Sequence, residues 1–205
     1  MILESIEIDN KSIDLIKRGD QKAFEVLYNS YSDKVFNTIL SYLQNKEEAE
    51  EVLQDVFVKI FHSAKDYRGE ASVSTWIYRI AVNKSLDFLR KKRTLKRSTS
   101  FVSLFSASNN KALNDHTDFR HPGIVVESEE NAKILFAVID LLPEKQKTVF
   151  ILTQIEQLTQ DQVGEIMNTT RKAIESLLSR AKANLRKKLE KLYPERGIKP
   201  HNTSK

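Results

Sequence analysis

Apolar side chains recur every three or four residues along most of the chain, the period of an α-helix with one buried face. Ser12 to Lys17 predicts a short first helix, stopped at Arg18-Gly19, and Asp20 is placed to cap the next. There Ala23/Phe24, Leu27/Tyr28, Tyr31, Val35, Ile39 and Tyr42/Leu43 form a stripe that ends near Asn45. Asn45 with Glu48 has the spacing of a capping box and opens a third helix, which buries Ala49, Val52/Leu53, Val56 and Ile60. His62 to Ser74, with Gly69 and small polar residues, reads as a loop. The helix after it carries Tyr78, Val82, Leu86 and Leu89 on one apolar line. Trp76, Ile80, Asn83 and Asp87 lie on a second, amphipathic line.

From Thr94 to Glu130 the period fails and polar residues dominate. A stretch of about thirty residues is too long for a compact unit to leave without structure, so it separates two helical domains. Beyond it, Ala132, Leu135, Val138/Ile139 and Leu142 mark a helix, and Pro143 suits the first position of another that carries Val149, Leu152 and Ile155. Thr159 to Gln162 is a capping box that opens a short helix with Val163, Ile166 and Met167. Thr169 or Thr170 caps a last helix bearing Ile174, Leu177/Leu178, Ala181, Leu185 and Leu192. Five glycines and four prolines agree with an all-α chain. The expected order is a domain over residues 1–95, a flexible linker over 96–130, a second domain over 131–193 and a disordered tail over 194–205.

Charge adds direction to this picture. The 33 basic and 28 acidic residues give a net charge of only +5, but they are segregated. Acids crowd Glu47–Asp55, while bases crowd Lys84–Arg97, with seven cations against one acid, and Arg171–Lys191. Such separation points to anionic partners at two places. Cysteine is absent, which excludes disulfides and thiolate metal sites, and four scattered histidines build no metal cluster. With no phosphate-binding glycine loop either, neither a cofactor nor an enzymatic activity is expected. The N-terminus does not read as a signal peptide, and no apolar run reaches the ~20 residues that span a bilayer, so a cytoplasmic protein is expected.

The second domain has the pattern of a helix-turn-helix. Gly164 lets the second helix approach closely, Asn168 tolerates the left-handed dihedrals of the turn, and Ile174 and Leu177 point inward. The outward face of the second helix carries Arg171, Lys172, Glu175, Ser176, Ser179, Arg180 and Lys182, types suited to major-groove edges and phosphates.

Several pieces occur in a telling order. They are Gly19-Asp20-Gln21-Lys22-Ala23-Phe24, Glu51-Val52-Leu53-Gln54-Asp55-Val56-Phe57 and Tyr67-Arg68-Gly69-Glu70, then Thr75-Trp76-Ile77-Tyr78-Arg79-Ile80-Ala81-Val82-Asn83. Leu142-Pro143-Glu144 and Glu175-Ser176-Leu177-Leu178-Ser179-Arg180-Ala181-Lys182 come after them. Together they resemble a bacterial RNA polymerase sigma factor of the extracytoplasmic-function (ECF) type, which keeps the second and fourth conserved regions. The resemblance implies that Glu51, Gln54, Asp55 and Phe57 dock on the largest polymerase subunit. It implies that Tyr67, Arg68, Trp76, Arg79, Asn83, Lys84, Arg90 and Lys91 meet the downstream promoter element, double- and then single-stranded, with Asn83 facing a captured base. Thr170 and the outward face from Arg171 to Lys182 would read the upstream element. Trp76 stands equally as core or as a base contact.

The resemblance also implies core RNA polymerase and promoter DNA as partners, and an anti-sigma protein that restrains the free factor. One departure is visible. The family often has Gly-Thr-Val then Arg-Ser-Arg where this chain has Lys172-Ala173-Ile174 then Glu175-Ser176-Leu177. Glu175 either accepts from a cytosine amino group or repels wrong sequences, so promoter preference does not transfer. The alternative is a free-standing helix-turn-helix regulator of duplex DNA, which leaves the acidic and tryptophan helices without a purpose.

Overall fold

The computed structural model describes the backbone of residues 2–102 and 129–192, and the side chains of 9–95 and 131–191. Most of the expected linker and the expected tail lie outside the described residues. Among those described the chain is helical throughout, with no strand. The N-terminal unit contains α1 (Ile2–Lys17), α2 (Gln21–Leu43), α3 (Lys46–Ser63) and α4 (Val73–Val102), and the C-terminal unit α5 (Glu129–Asp140), α6 (Glu144–Phe150), α7 (Gln160–Ile166) and α8 (Arg171–Leu192).

Local chemistry sets most boundaries where the sequence places them. Asp20 accepts from the backbone N–H groups of Lys22 and Ala23 and so caps α2. Asn45 accepts from the Glu48 N–H at 2.8 Å and caps α3, while the Glu48 side chain pairs with Lys92 of α4. Thr159 and Gln162 form the reciprocal capping box of α7. Asn168 takes φ 49° in the turn before α8, and Ala173 N–H donates to the hydroxyl of Thr170, which makes Thr170 the capping threonine.

Four boundaries differ. The first helix begins at Ile2, well before the expected Ser12. α4 runs to Val102, into the expected linker, because nothing in Thr94–Ser100 breaks a helix. Pro143, with ψ 142°, stands just outside α6 as its cap residue, one place earlier than expected. The helix bearing Leu152 and Ile155 changes to a π-helical turn at Ile151–Ile155, closed by Glu156 N–H to the Ile151 carbonyl at 3.0 Å. Each extra residue in such a turn rotates the chain beyond it by about 100°. A stripe of apolar letters carries no mark of that insertion.

The buried face of α4 is Val73, Ile77, Tyr78, Ala81, Val82 and Ser85, with Leu86 and Leu89 only half-buried. Ser85 escapes a hydrophobic reading because its hydroxyl donates to the Ala81 carbonyl at 2.8 Å, so no unpaired group is buried. That face packs on α2 and α3, while α6 and α7 pack on α8.

The two units also meet. The C-terminal end of α2 enters the second unit, where Lys147 of α6, 4% exposed, donates to the Tyr42 carbonyl at 3.0 Å and pairs with Asp140 at 2.5 Å. Gln44, in the left-handed conformation that ends α2, lies 3.4 Å from the Phe136 carbonyl through its amide nitrogen. The α2 terminus thus brings the Tyr42 carbonyl to a cation, which suits the negative end of the helix dipole.

Two substitutions test this account of the second unit. A Cβ on Gly164 would stand 3.0 Å from the Thr169 carbonyl oxygen, so Gly164→Val should cost about 1–3 kcal/mol in urea unfolding. Thr159→Ala, which removes the cap, should cost about 1 kcal/mol in the same measurement.

Candidate nucleic-acid interface

Three surfaces collect the residues singled out from the sequence. On α3, Glu51, Gln54 and Asp55 are exposed along one side. Asp55 pairs with Lys84 of α4 at 3.4 Å, tying this acidic face to the basic one. Phe57 does not belong to the exposed set. It is 3% exposed, with its ring centroid 4.6 Å from Tyr28 and 6.3 Å edge-on to Phe24. The helix turns Val58 and Phe61 outward instead, at 56% and 38% exposure. Sequence periodicity could have found this, since Phe57 follows Val56 and sits one turn from Leu53 and Ile60 on the buried side.

The second surface joins the turn after α3 to one side of α4. Tyr67 donates to the Ala71 carbonyl at 2.6 Å, and Gly69 supplies the φ of 75° that the turn between them requires. The Tyr67 ring lies 5.1 Å from the half-buried Trp76 ring at a tilt of 47°, and burial raises the Tyr67 hydroxyl pKa. Lys17 of α1 stands 5.7 Å above the Tyr67 ring, a cation–π distance. Asp66, Tyr67, Arg68, Trp76 and Arg79 line a shallow cleft here, so Trp76 faces both the core and a surface opening.

Along α4, Asn83, Arg90 and Lys91 are exposed and Arg79 and Lys84 half-exposed. Asn83 lines a second, larger cleft with Leu86, Arg90, Met167 and Asn168, where α4 faces the second unit. Several of these groups already have partners in that unit. Arg79 donates to the Glu165 carbonyl through Nε at 3.0 Å and Nη2 at 2.5 Å, and Thr75 donates to the Glu165 carboxylate at 3.1 Å. Arg90 pairs with Asp87 at 3.0 Å and with Glu144 at 2.6 Å.

The third surface is the outer face of α8. Thr170, Arg171, Lys172, Glu175, Ser176, Ser179, Arg180 and Lys182 are all exposed there. Arg171 is held between Asp161 of α7 at 3.0 Å and Glu175 at 3.3 Å. Asp161, absent from the sequence-derived set, therefore fixes the first cation of the helix. Arg180 folds along its own helix, donating to the Ser176 carbonyl at 3.2 Å and hydroxyl at 3.0 Å. Glu175 accordingly stands beside a paired cation rather than alone among bases. The three surfaces present short polar groups, cations and two half-buried rings, a set that can hold phosphates, base edges and unstacked bases.

Comparison with known proteins agrees with this arrangement. Residues 27–94 match the family description "Sigma-70 region 2", and residues 132–185 match "Sigma-70, region 4". The chain is 30% identical over 185 residues to the ECF RNA polymerase sigma-E factor of Haemophilus influenzae, covering 90% of this chain and 96% of that one. It is 29% identical over 186 residues to the ECF RNA polymerase sigma factor SigW of Bacillus subtilis, covering 89% and 97%. In fold it resembles CnrH, solved in complex with the cytosolic domain of CnrY, at a TM-score of 0.64 and 20% identity over 90% of this chain and 98% of that one. The sigma factor RpoE of Bartonella quintana, solved with the anti-sigma factor NepR, gives 0.59 and 16% over 82% and 98%. With matched regions 2 and 4 in order and full-length relatives at this identity, the chain belongs to the ECF family of RNA polymerase sigma factors and directs the polymerase to promoters.

Proposed function

We propose that the three surfaces divide the work of promoter recognition. The acidic side of α3, with Glu51, Gln54 and Asp55 beside the outward Val58 and Phe61, docks on core polymerase. Exposed carboxylates next to exposed apolar groups support this, because a partner with basic and apolar groups would satisfy both. The side of α4 from Trp76 to Lys91, with Tyr67 and Arg68, opens and holds the downstream element. The outer face of α8 from Thr170 to Lys182 reads the upstream element.

The observation that carries the assignment of α4 is the setting of Asn83. Its amide is exposed and unbonded among the described residues, one turn from Arg79 and two turns from Arg90 on a helix whose opposite side is core. An extruded base costs a few kcal/mol to unstack, and a free amide between two cations can return part of that through base-edge and backbone contacts. No catalytic step is assigned to any residue, and the factor acts through binding alone. It works in the cytoplasm with the polymerase; no helix among the described residues is long and apolar enough to cross a membrane. An anti-sigma protein is proposed as a further partner, because the fold neighbour RpoE was solved with the anti-sigma factor NepR.

A free-standing regulator would bind its operator through α8 alone. Mixing the chain with core polymerase and candidate promoters separates the two readings: holoenzyme formation supports this one, and tight operator binding without polymerase overturns it. Within it, Asn83→Ala should lower open-complex formation roughly tenfold and leave core affinity unchanged. An equal loss of both would make Asn83 a structural residue. Arg180→Ala should weaken upstream-element binding and lessen its salt dependence by about one phosphate contact. Because Arg180 bonds only to its own helix, the fold should survive, and unaltered DNA affinity would remove Arg180 from the reading face.

A further inference from the structure

The turn that carries Tyr67 and Arg68 is held from two sides by α1, an element outside residues 27–94 that match region 2. α1 packs on α2, on the 3₁₀ turn Ala64–Asp66 just before Tyr67, and on α4, which begins at Val73. Ile13 and Ile16 form its apolar side and are buried. The stretch from Tyr67 to Ser72 is therefore anchored at each end to an element that touches the same helix.

Polar contacts strengthen both anchors. Near the start of α1, Asp9 accepts from the hydroxyl of the buried Tyr31 on α2. The Ser74 side chain, in the first turn of α4, meets the same phenol. One phenol thus ties α1, α2 and α4 together where the turn ends. At the other end of α1, Lys17 brings its ammonium to 5.7 Å from the Tyr67 ring centroid and pairs with Asp14, one turn back, at 3.2 Å. Asp9 and Asp14 also act on Tyr67, their negative charge adding to burial in raising the phenol pKa. The Tyr67 hydroxyl is already given to Ala71 and its ring already meets Trp76, so Lys17 adds a restraint from a third element. These contacts all lie on the N-terminal side of the linker and involve no residue of region 4.

Tyr67, Arg68, Trp76 and Arg79 line the cleft assigned above to the downstream element. An aromatic platform binds an unstacked base more tightly when its plane is already fixed, since less freedom is lost on binding. A cation over the ring contributes to that fixing through the negative face of the π system. We propose, resting on the promoter-contact reading above, that α1 is a splint for this cleft and that Lys17 is its positioning residue, acting on DNA through the Tyr67 ring and not through a phosphate. The side chain of Lys17 is 31% exposed and has a carboxylate beside it, whereas Arg68 stands fully in solvent reach on the turn. The first suits a cation engaged within the protein, the second a cation offered to a backbone.

The test uses holoenzyme made with core polymerase, on a promoter that the unaltered chain opens, premelted over the downstream element. Tyr67→Leu removes the platform and should weaken binding about fivefold or more. Lys17→Met keeps the length of the side chain without its charge and should weaken binding about two- to fivefold. Lys17→Arg, which keeps the cation, should bind as the unaltered chain does. In the Tyr67→Leu background, Lys17→Met should have no further effect, because the ring it acts through is gone. The dependence of affinity on salt should be the same with Lys17→Met as without it. Core affinity should stay constant throughout, which separates loss of the cleft from loss of the fold. Additive losses, or a salt slope lowered by about one, make Lys17 a phosphate contact and overturn the positioning role. An equal loss of core affinity in Lys17→Met makes it a residue of the fold and overturns the role as well. Unchanged binding in Lys17→Met beside a loss in Tyr67→Leu overturns the splint alone. Unchanged binding in Tyr67→Leu removes instead the promoter-contact reading on which the splint stands.

Discussion

A buried ammonium is tolerable only where several oxygens compensate it, and Lys147 has this condition met from two sides. Asp140 provides the countercharge from within region 4, and the Tyr42 carbonyl near the end of α2 adds an acceptor from region 2. The second half of that compensation exists only while the regions touch. Gln44 ends α2 with a backbone turned left-handed, so the helix stops where the Tyr42 carbonyl reaches Lys147 and the Gln44 side-chain amide reaches Phe136. The mutual placement of the two regions follows from this seat, and the rest of the contact, from Glu156 to Arg90, is laid out along it.

Beside that seat, α4 serves two demands that normally exclude one another. One side must be apolar enough to hold α2 and α3 together, and the other must stay polar and cationic. The helix meets both by keeping its core side narrow, with Ala81 and Ser85 as small residues where neighbours come close. Its other side then offers Arg79, Asn83 and Arg90 one above the next, where Arg79 meets the Glu165 carbonyl and Arg90 the Glu144 carboxylate of region 4.

Much of this was legible in the letters. Asp20, Asn45 and Thr159 act as caps through side-chain oxygens, a local chemistry that composition displays, and Gly164 and Asn168 carry the helix-turn-helix in the same local way. The order of the tryptophan helix, the linker and the second domain sufficed to suggest the family. What escaped depends on neighbours distant in sequence. Phe57 is the exception, since its place one turn from Leu53 and Ile60 marks it as core even before Phe24 and Tyr28 close over it. Asp161 joins the outer face of α8 only because α7 brings it beside Arg171. The π-helical turn at Ile151–Ile155 leaves no mark in the period of its apolar residues.

The length of α4 has one more effect. Since it continues to Val102 and α5 begins at Glu129, 26 residues join the two regions, fewer than the span that lacks apolar period. Even fully extended they reach no further than about 90 Å. Parted regions are therefore never dilute with respect to each other, and the tether keeps each at a local concentration on the order of millimolar. Reunion is then a first-order event, indifferent to how much of the factor a cell contains. Any partner that holds the regions apart must outcompete a neighbour that cannot diffuse away.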